Sequence, residues 1–92
     1  MDENNPIDYP IDGILDLHTF RPNEVKDLIP EYLSACRDQG ILQVRIIHGK
    51  GTGTLRRTVQ AILARLPEVT QFQLAEEEAG GWGATIVTLK PR

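Results

Sequence analysis

The residues best suited to chemistry in this chain are two histidines, one aspartate and a glycine-rich run. The run is His48-Gly49-Lys50-Gly51-Thr52-Gly53-Thr54-Leu55-Arg56-Arg57. It follows the apolar stretch Val44 to Ile47 and leads directly into a helical pattern, so it occupies a strand-to-helix junction. Such a junction offers unpaired backbone N–H groups and the positive end of a helix dipole, which suit an anion such as phosphate. Glycine lets the backbone approach such a ligand closely. Upstream, Leu15-Asp16-Leu17-His18 alternates apolar with polar, as a half-buried strand would. Asp16 and His18 would then project to one side and Leu15 and Leu17 to the other.

Cleaving a phosphodiester requires a neutralised charge, an activated nucleophile and a protonated leaving oxygen. Lys50 and the N–H groups of the Gly49, Gly51, Thr52 and Gly53 turn would supply the first. Arg56 and Arg57 would hold flanking phosphates. His18 or His48 would act as acid or base near neutral pH. Asp16 would orient or charge His18, although direct hydrogen bonds between i and i+2 side chains on a strand are uncommon. It would equally serve a divalent cation such as Mg²⁺ through its carboxylate. Trp82, set among Gly80, Gly81 and Gly83, is placed to stack on an unpaired base or sugar. Each residue also has a plainer role. A strand-end histidine is often a hydrogen-bonded structural group, Asp16 can cap a turn, and Trp82 can fold onto the core rim. The order of Lys50 and the glycines does not fit a Walker A loop, the G-x-G-x-x-G spacing is absent, and no zinc-ligand spacing is present.

The net charge of −3 argues against a generally basic nucleic-acid binder, but its distribution matters more. Between Asp38 and Glu68 there is no acid, while Arg45, Lys50, Arg56, Arg57 and Arg65 all fall there. A segment of local charge +5 on an acidic chain marks an electrostatic footprint for phosphate beside the glycine-rich turn. The 92 residues suit one domain with one core, expected to be a monomer. No apolar run is long enough to span a membrane. An acidic N-terminus without a signal-peptide pattern favours the cytoplasm. The single Cys36 excludes an internal disulfide and falls on an apolar helix face, where a buried, inert thiol is expected.

The elements that must position these groups follow from periodicity. Residues 1–11, with two prolines and several acids, suggest an extended or mobile arm before a domain over 12–92. Arg21-Pro22-Asn23 signals a helix start. Val25, Leu28, Ile29, Tyr32, Leu33 and Cys36 then give one apolar face, and Gly40 ends the helix. Pro30 inside that pattern should kink the helix or delay its start. Gln43 to Ile47 reads as a second strand, and Leu55, Val59, Ile62, Leu63 and Leu66 as a second helix stopped by Pro67. Val69 to Ala75 reads as a third strand with Thr70, Phe72 and Leu74 on one side, Glu76 to Gly83 as a loop, and Ala84 to Leu89 as a fourth strand. The expected fold is an α/β two-layer sandwich, β-α-β-α-β-β, with a four-stranded mixed sheet. Right-handed crossovers make the first three strands parallel, with the fourth antiparallel. His18, His48, the Lys50 loop and the Gly80–Gly83 turn then converge on one sheet edge.

With these residues laid out, the chain resembles the small MutS-related (Smr) domain. Leu15-Asp16-Leu17-His18 is similar to the family's Leu-Asp-Leu-His-Gly opening, His48-Gly49-Lys50-Gly51 to its His-Gly-x-Gly element, and Gly80-Gly81-Trp82-Gly83-Ala84-Thr85 to its closing glycine-rich turn. The resemblance implies a sandwich like the C-terminal domain of translation initiation factor 3. It also implies nucleic-acid binding and, in several members, endonuclease activity on DNA or RNA. Carried over, Asp16 and His18 match the motif linked to cleavage, and His48, Gly49 and Gly51 the motif linked to binding and cleavage. The family glycine after the first histidine is Thr19 here, which adds a Cβ and a hydroxyl. Thr19 and the acidic net charge motivate an alternative, a non-catalytic module that binds branched DNA, RNA or ribosomes.

Overall fold

The elements run in the order β1 (Ile14–Asp16), α1 (Pro22–Asp38), β2 (Gln43–Ile47), α2 (Thr54–Ala64), β3 (Val69–Leu74) and β4 (Ala84–Leu89), with a 3-10 turn over Leu17–Thr19 between β1 and α1. This computed structural model describes residues 11–49, 53–75 and 83–92. Helix α1 starts where the sequence signals it. Pro22 takes the first turn, and the Glu24 carboxylate accepts from the Arg21 N–H at 2.8 Å. It ends in a Schellman motif. Gly40, at φ +77°, donates to the Arg37 carbonyl, and Ile41 donates to that of Cys36. The six apolar positions Val25 to Cys36 are all buried, and burial holds the Cys36 thiol above its ordinary pKa. Pro30 neither delays nor ends the helix. The carbonyl that loses its partner belongs to Lys26, an exposed residue whose backbone can turn to water.

The sheet order is β1-β2-β4-β3. Strands β1 and β2 are parallel, and β4 runs antiparallel to both β2 and β3, so β1, β2 and β3 share one direction as expected. Both helices cover the same face. Val25, Leu33, Val59 and Leu63 share one core with Leu15, Val44, Ile46, Val87 and Leu89. The other face carries the row Ile14, Arg45, Ile86 and Gln73, with Ile14 48% exposed. Tyr32, fully buried, ties α1 to the start of the sheet. Its hydroxyl accepts from Gly13 N–H at 3.1 Å and lies 3.2 Å from the Ile14 carbonyl. Burial pushes its pKa up to about 12. Ile11 packs against the core. The rest of the expected arm, residues 1–10, lies outside the described residues.

Two expectations are corrected. The first strand ends at Asp16, and Leu17–Thr19 form the 3-10 turn, because the Asp16 carboxylate caps the His18 N–H at 2.9 Å. In β3, Thr70 does not share the side of Phe72 and Leu74. The register shifts between Val69 and Gln71, Thr70 is exposed, and Val69 packs on the core instead. No described helix is long and apolar enough to cross a membrane.

Candidate nucleic-acid interface

Parallel pairing fixes where the motifs meet. Asp16 pairs with Ile47 and Ile47 with Ala84, so the end of β1, the end of β2 and the start of β4 form one row. His18, His48 and Gly83 lie just beyond it. The Gly83 carbonyl accepts from both His48 N–H and Gly49 N–H at 2.9 Å, which stitches the second motif to the third.

The 3-10 turn brings Asp16 and His18 together in a way a strand would not. One Asp16 oxygen accepts from the His18 backbone N–H at 2.9 Å and from His18 Nδ1 at 2.6 Å. Both side chains are more than half exposed, at 54% and 61%. The bond from the His18 backbone N–H is the main effect that holds the Asp16 carboxyl below its ordinary pKa; desolvation opposes it, and the His18 side chain adds a lesser lowering. With the proton on Nδ1, Nε2 is the basic nitrogen. Among the described residues Nε2 has no hydrogen-bond partner. It faces Gly49 closely enough that a Cβ there would stand 3.1 Å away, and Gly49 sits at φ +85°. Glycine is therefore required twice over at this position.

His48 has a different environment. It is 5% exposed, its Nδ1 lies 3.0 Å from the Gly49 carbonyl, and its Nε2 lies 2.9 Å from the hydroxyl of Thr85, which is fully buried. A carbonyl only accepts, so Nδ1 carries the proton and Nε2 accepts from Thr85. Burial lowers the His48 pKa, the Gly49 carbonyl works against that, and Arg56 adds to the lowering. His48 is neutral and engaged at both nitrogens, whereas His18 is exposed and, among the described residues, hydrogen-bonded at Nδ1 alone.

Helix α2 begins at Gly53, at φ +86°, without a side-chain cap and without an acid in its first turn. Helix α1, by contrast, is closed by Glu24. Both arginines fold back over the α2 N-terminus. A Cβ on Gly53 would meet an Arg56 guanidinium nitrogen at 3.1 Å and one of Arg57 at 3.4 Å. Positive charge is thus concentrated at an end that is already electropositive. A cavity of about 310 Å³ opens there, lined by Pro22, His48, Gly49, Gly53 and Arg56 among others.

The structure therefore gathers Asp16, His18, His48, Gly49 and Gly83 at one edge, with Gly53 and Arg56 lining the same cavity as His48 and Gly49. Lys50, Gly51, Thr52, Gly81 and Trp82 lie outside the described residues. Among the described residues, no three His, Cys, Asp or Glu side chains gather as a metal site. Thr85 stood in the sequence only as the last residue of the third motif, with no role assigned to it. Its signal was a hydroxyl at an inward position, in step with Val87 and Leu89.

Comparison with known proteins fits this geometry. The Smr domain family model matches residues 15–90, which include all three motifs. The chain belongs to the Smr domain family. Among curated relatives, endonuclease MutS2 of Halothermothrix orenii is 42% identical over 76 residues, covering 83% of this chain but 10% of that protein. Endonuclease MutS2 of Thermomicrobium roseum is 39% identical over 74 residues, 80% of this chain and 9% of that protein. The chain thus spans about a tenth of the length of such relatives. The crystal structure of the Smr domain of Thermus thermophilus MutS2 is similar with a TM-score of 0.79 at 35% identity, covering 85% of this chain and 98% of that one. YdaL, a stand-alone small MutS-related protein from Escherichia coli, is similar with a TM-score of 0.80 at 27% identity, covering 89% of this chain and 67% of that one. The mixed four-stranded sheet with two helices is the Smr fold seen in these structures.

Proposed function

We propose that this Smr domain binds the phosphodiester backbone of DNA or RNA at the edge beyond β1 and β2, and hydrolyses it. The observation that carries the reading is the Asp16–His18 pair, 2.6 Å apart, with Nε2 held over Gly49. In hydrolysis, water adds to phosphorus, the bond to the leaving oxygen breaks, and the water proton ends on that oxygen. His18 Nε2 serves as the group that takes and returns a proton, and Asp16 orients the ring and stabilises its charged form. Gly49 provides close backbone approach, and the start of α2, with no acid in its first turn, attracts the phosphates together with Arg56 and Arg57. His48, expected to be catalytic, fits better as a group that holds the Gly49 turn. Lys50 and Trp82 enter the reading through their motifs alone, as further phosphate and base contacts. A Mg²⁺ at Asp16 would take its other ligands from water and substrate. The relatives' name, endonuclease, supports the activity. Incubating the protein with supercoiled plasmid and with structured RNA, with and without Mg²⁺, tests it. Strand breaks that accumulate with time are expected.

A second reading, binding without cleavage, is favoured by Thr19. Among the described residues no non-glycine has positive φ, so position 19 does not need glycine for its conformation. A glycine there would let substrate approach the backbone next to His18, and Thr19, an exposed residue, adds a Cβ and a hydroxyl at that position. Salt-sensitive binding without any strand break would select this reading.

A further inference from the structure

We propose that Thr85 is a positioning residue of this site, whose hydroxyl holds the His48 ring in place and, through it, the Gly49 peptide on which His18 rests. The functional part rests on the cleavage reading, while the structural part does not. Thr85 is fully buried on β4, on the inward side with Val87 and Leu89. Its hydroxyl is 2.9 Å from His48 Nε2. A neutral imidazole has one donor and one acceptor nitrogen. The Gly49 carbonyl, 3.0 Å from Nδ1, takes the donor, so the buried acceptor Nε2 depends on Thr85. Gly49 is thereby fixed at both ends by β4 and its approach. Its N–H is bound to the Gly83 carbonyl, and its carbonyl is bound to a ring anchored by Thr85. The face of Gly49 so held is the one against His18 Nε2. Without the Thr85 hydroxyl, a buried Nε2 lacks a donor, and the ring gains by turning that nitrogen to water. That turn withdraws Nδ1–H from Gly49.

The test is ¹⁵N and ¹H NMR of the two histidine rings together with cleavage rates, in wild type, Thr85→Val and Thr85→Ser. Wild type should show His48 as a single neutral tautomer with a slowly exchanging Nδ1–H. Thr85→Val should lose that protection, shift the His18 ring signals and cut cleavage about tenfold or more. Thr85→Ser should restore all three. A wild-type ring protonated on Nε2, or a Thr85→Val protein with unchanged ring signals, overturns the proposal. So does a displaced His48 ring with wild-type cleavage. If Thr85→Val fails to fold, the wild-type tautomer and the Thr85→Ser spectrum still decide. Ring signals that behave as expected in a protein without cleavage would leave the structural inference standing and remove the nuclease reading alone.

Discussion

Gly49 is where local conformation and chemistry meet. Its φ of +85° and the 3.1 Å approach to His18 Nε2 act together against any side chain. Gly49→Ala should cost about 1–3 kcal/mol in urea denaturation and displace His18, with a larger fractional loss of cleavage than of stability. Thr19 works in the opposite sense. Thr19→Gly should raise cleavage several-fold by removing a Cβ and a hydroxyl next to His18 in the chain, with little loss of fold, read from initial rates. The two histidines were legible as candidates but not as different in kind. Sequence places each just after a strand-like run, whereas burial and the partners Gly49 and Thr85 depend on what β4 brings alongside. The difference has a pH signature. His48 is held below its ordinary value of 6.5 in the fold, chiefly by burial. The unfolded chain therefore takes up the proton first as pH falls. The stability His48 contributes is complete above pH 6.5 and is lost as pH falls through that value toward the folded one. Urea midpoints should decline between pH 7.5 and 5.5, and decline less in His48→Gln.

The helices were readable because a 3.6-residue apolar period and a Gly40 stop have few competing interpretations. The strands were less so. Leu15 and Leu17 are buried whether residues 15–18 form a strand or leave it at Asp16, so hydrophobic pattern alone could not report the 3-10 turn. What decides it is a local carboxylate bond to the His18 N–H. Likewise Thr70, Phe72 and Leu74 keep the two-residue period that the β3 bulge breaks, and only the pairing with Thr88 and Leu89 reveals it. The glycine turns separate strain from crowding. Gly40 has φ +77° and open space, whereas Gly13 has φ +89° with Ile41 Cγ2 and the Gln43 carbonyl at 3.2 and 3.3 Å from a built Cβ. Gly40→Ala should therefore cost about 1 kcal/mol and Gly13→Ala clearly more, compared by chemical denaturation.

Across the whole molecule, an acidic chain gathers Arg56 and Arg57 at one corner, where the proposed function places a polymer of phosphates. The meeting of the Asp16–His18 and His48–Gly49 motifs on one edge was foreseeable from parallel β1 and β2. The insertion of β4 between β2 and β3, which delivers Gly83 and Thr85 to His48, was not, because strand order is set by which edge the last hairpin adds to. Binding should weaken steeply with salt. Replacing Arg56 and Arg57 by Gln should flatten the log affinity against log salt slope by roughly 1–2, since each phosphate contact contributes about 0.7–0.9. The proposed cleavage depends on His18 more than on any cation. Its most direct test is the rate of strand breakage on matched DNA and RNA substrates by wild type and by His18→Ala, at equal occupancy and with and without Mg²⁺. His18→Ala should still bind but cleave about a hundredfold or more slowly. Identical products at an identical rate from both proteins would contradict that dependence on His18.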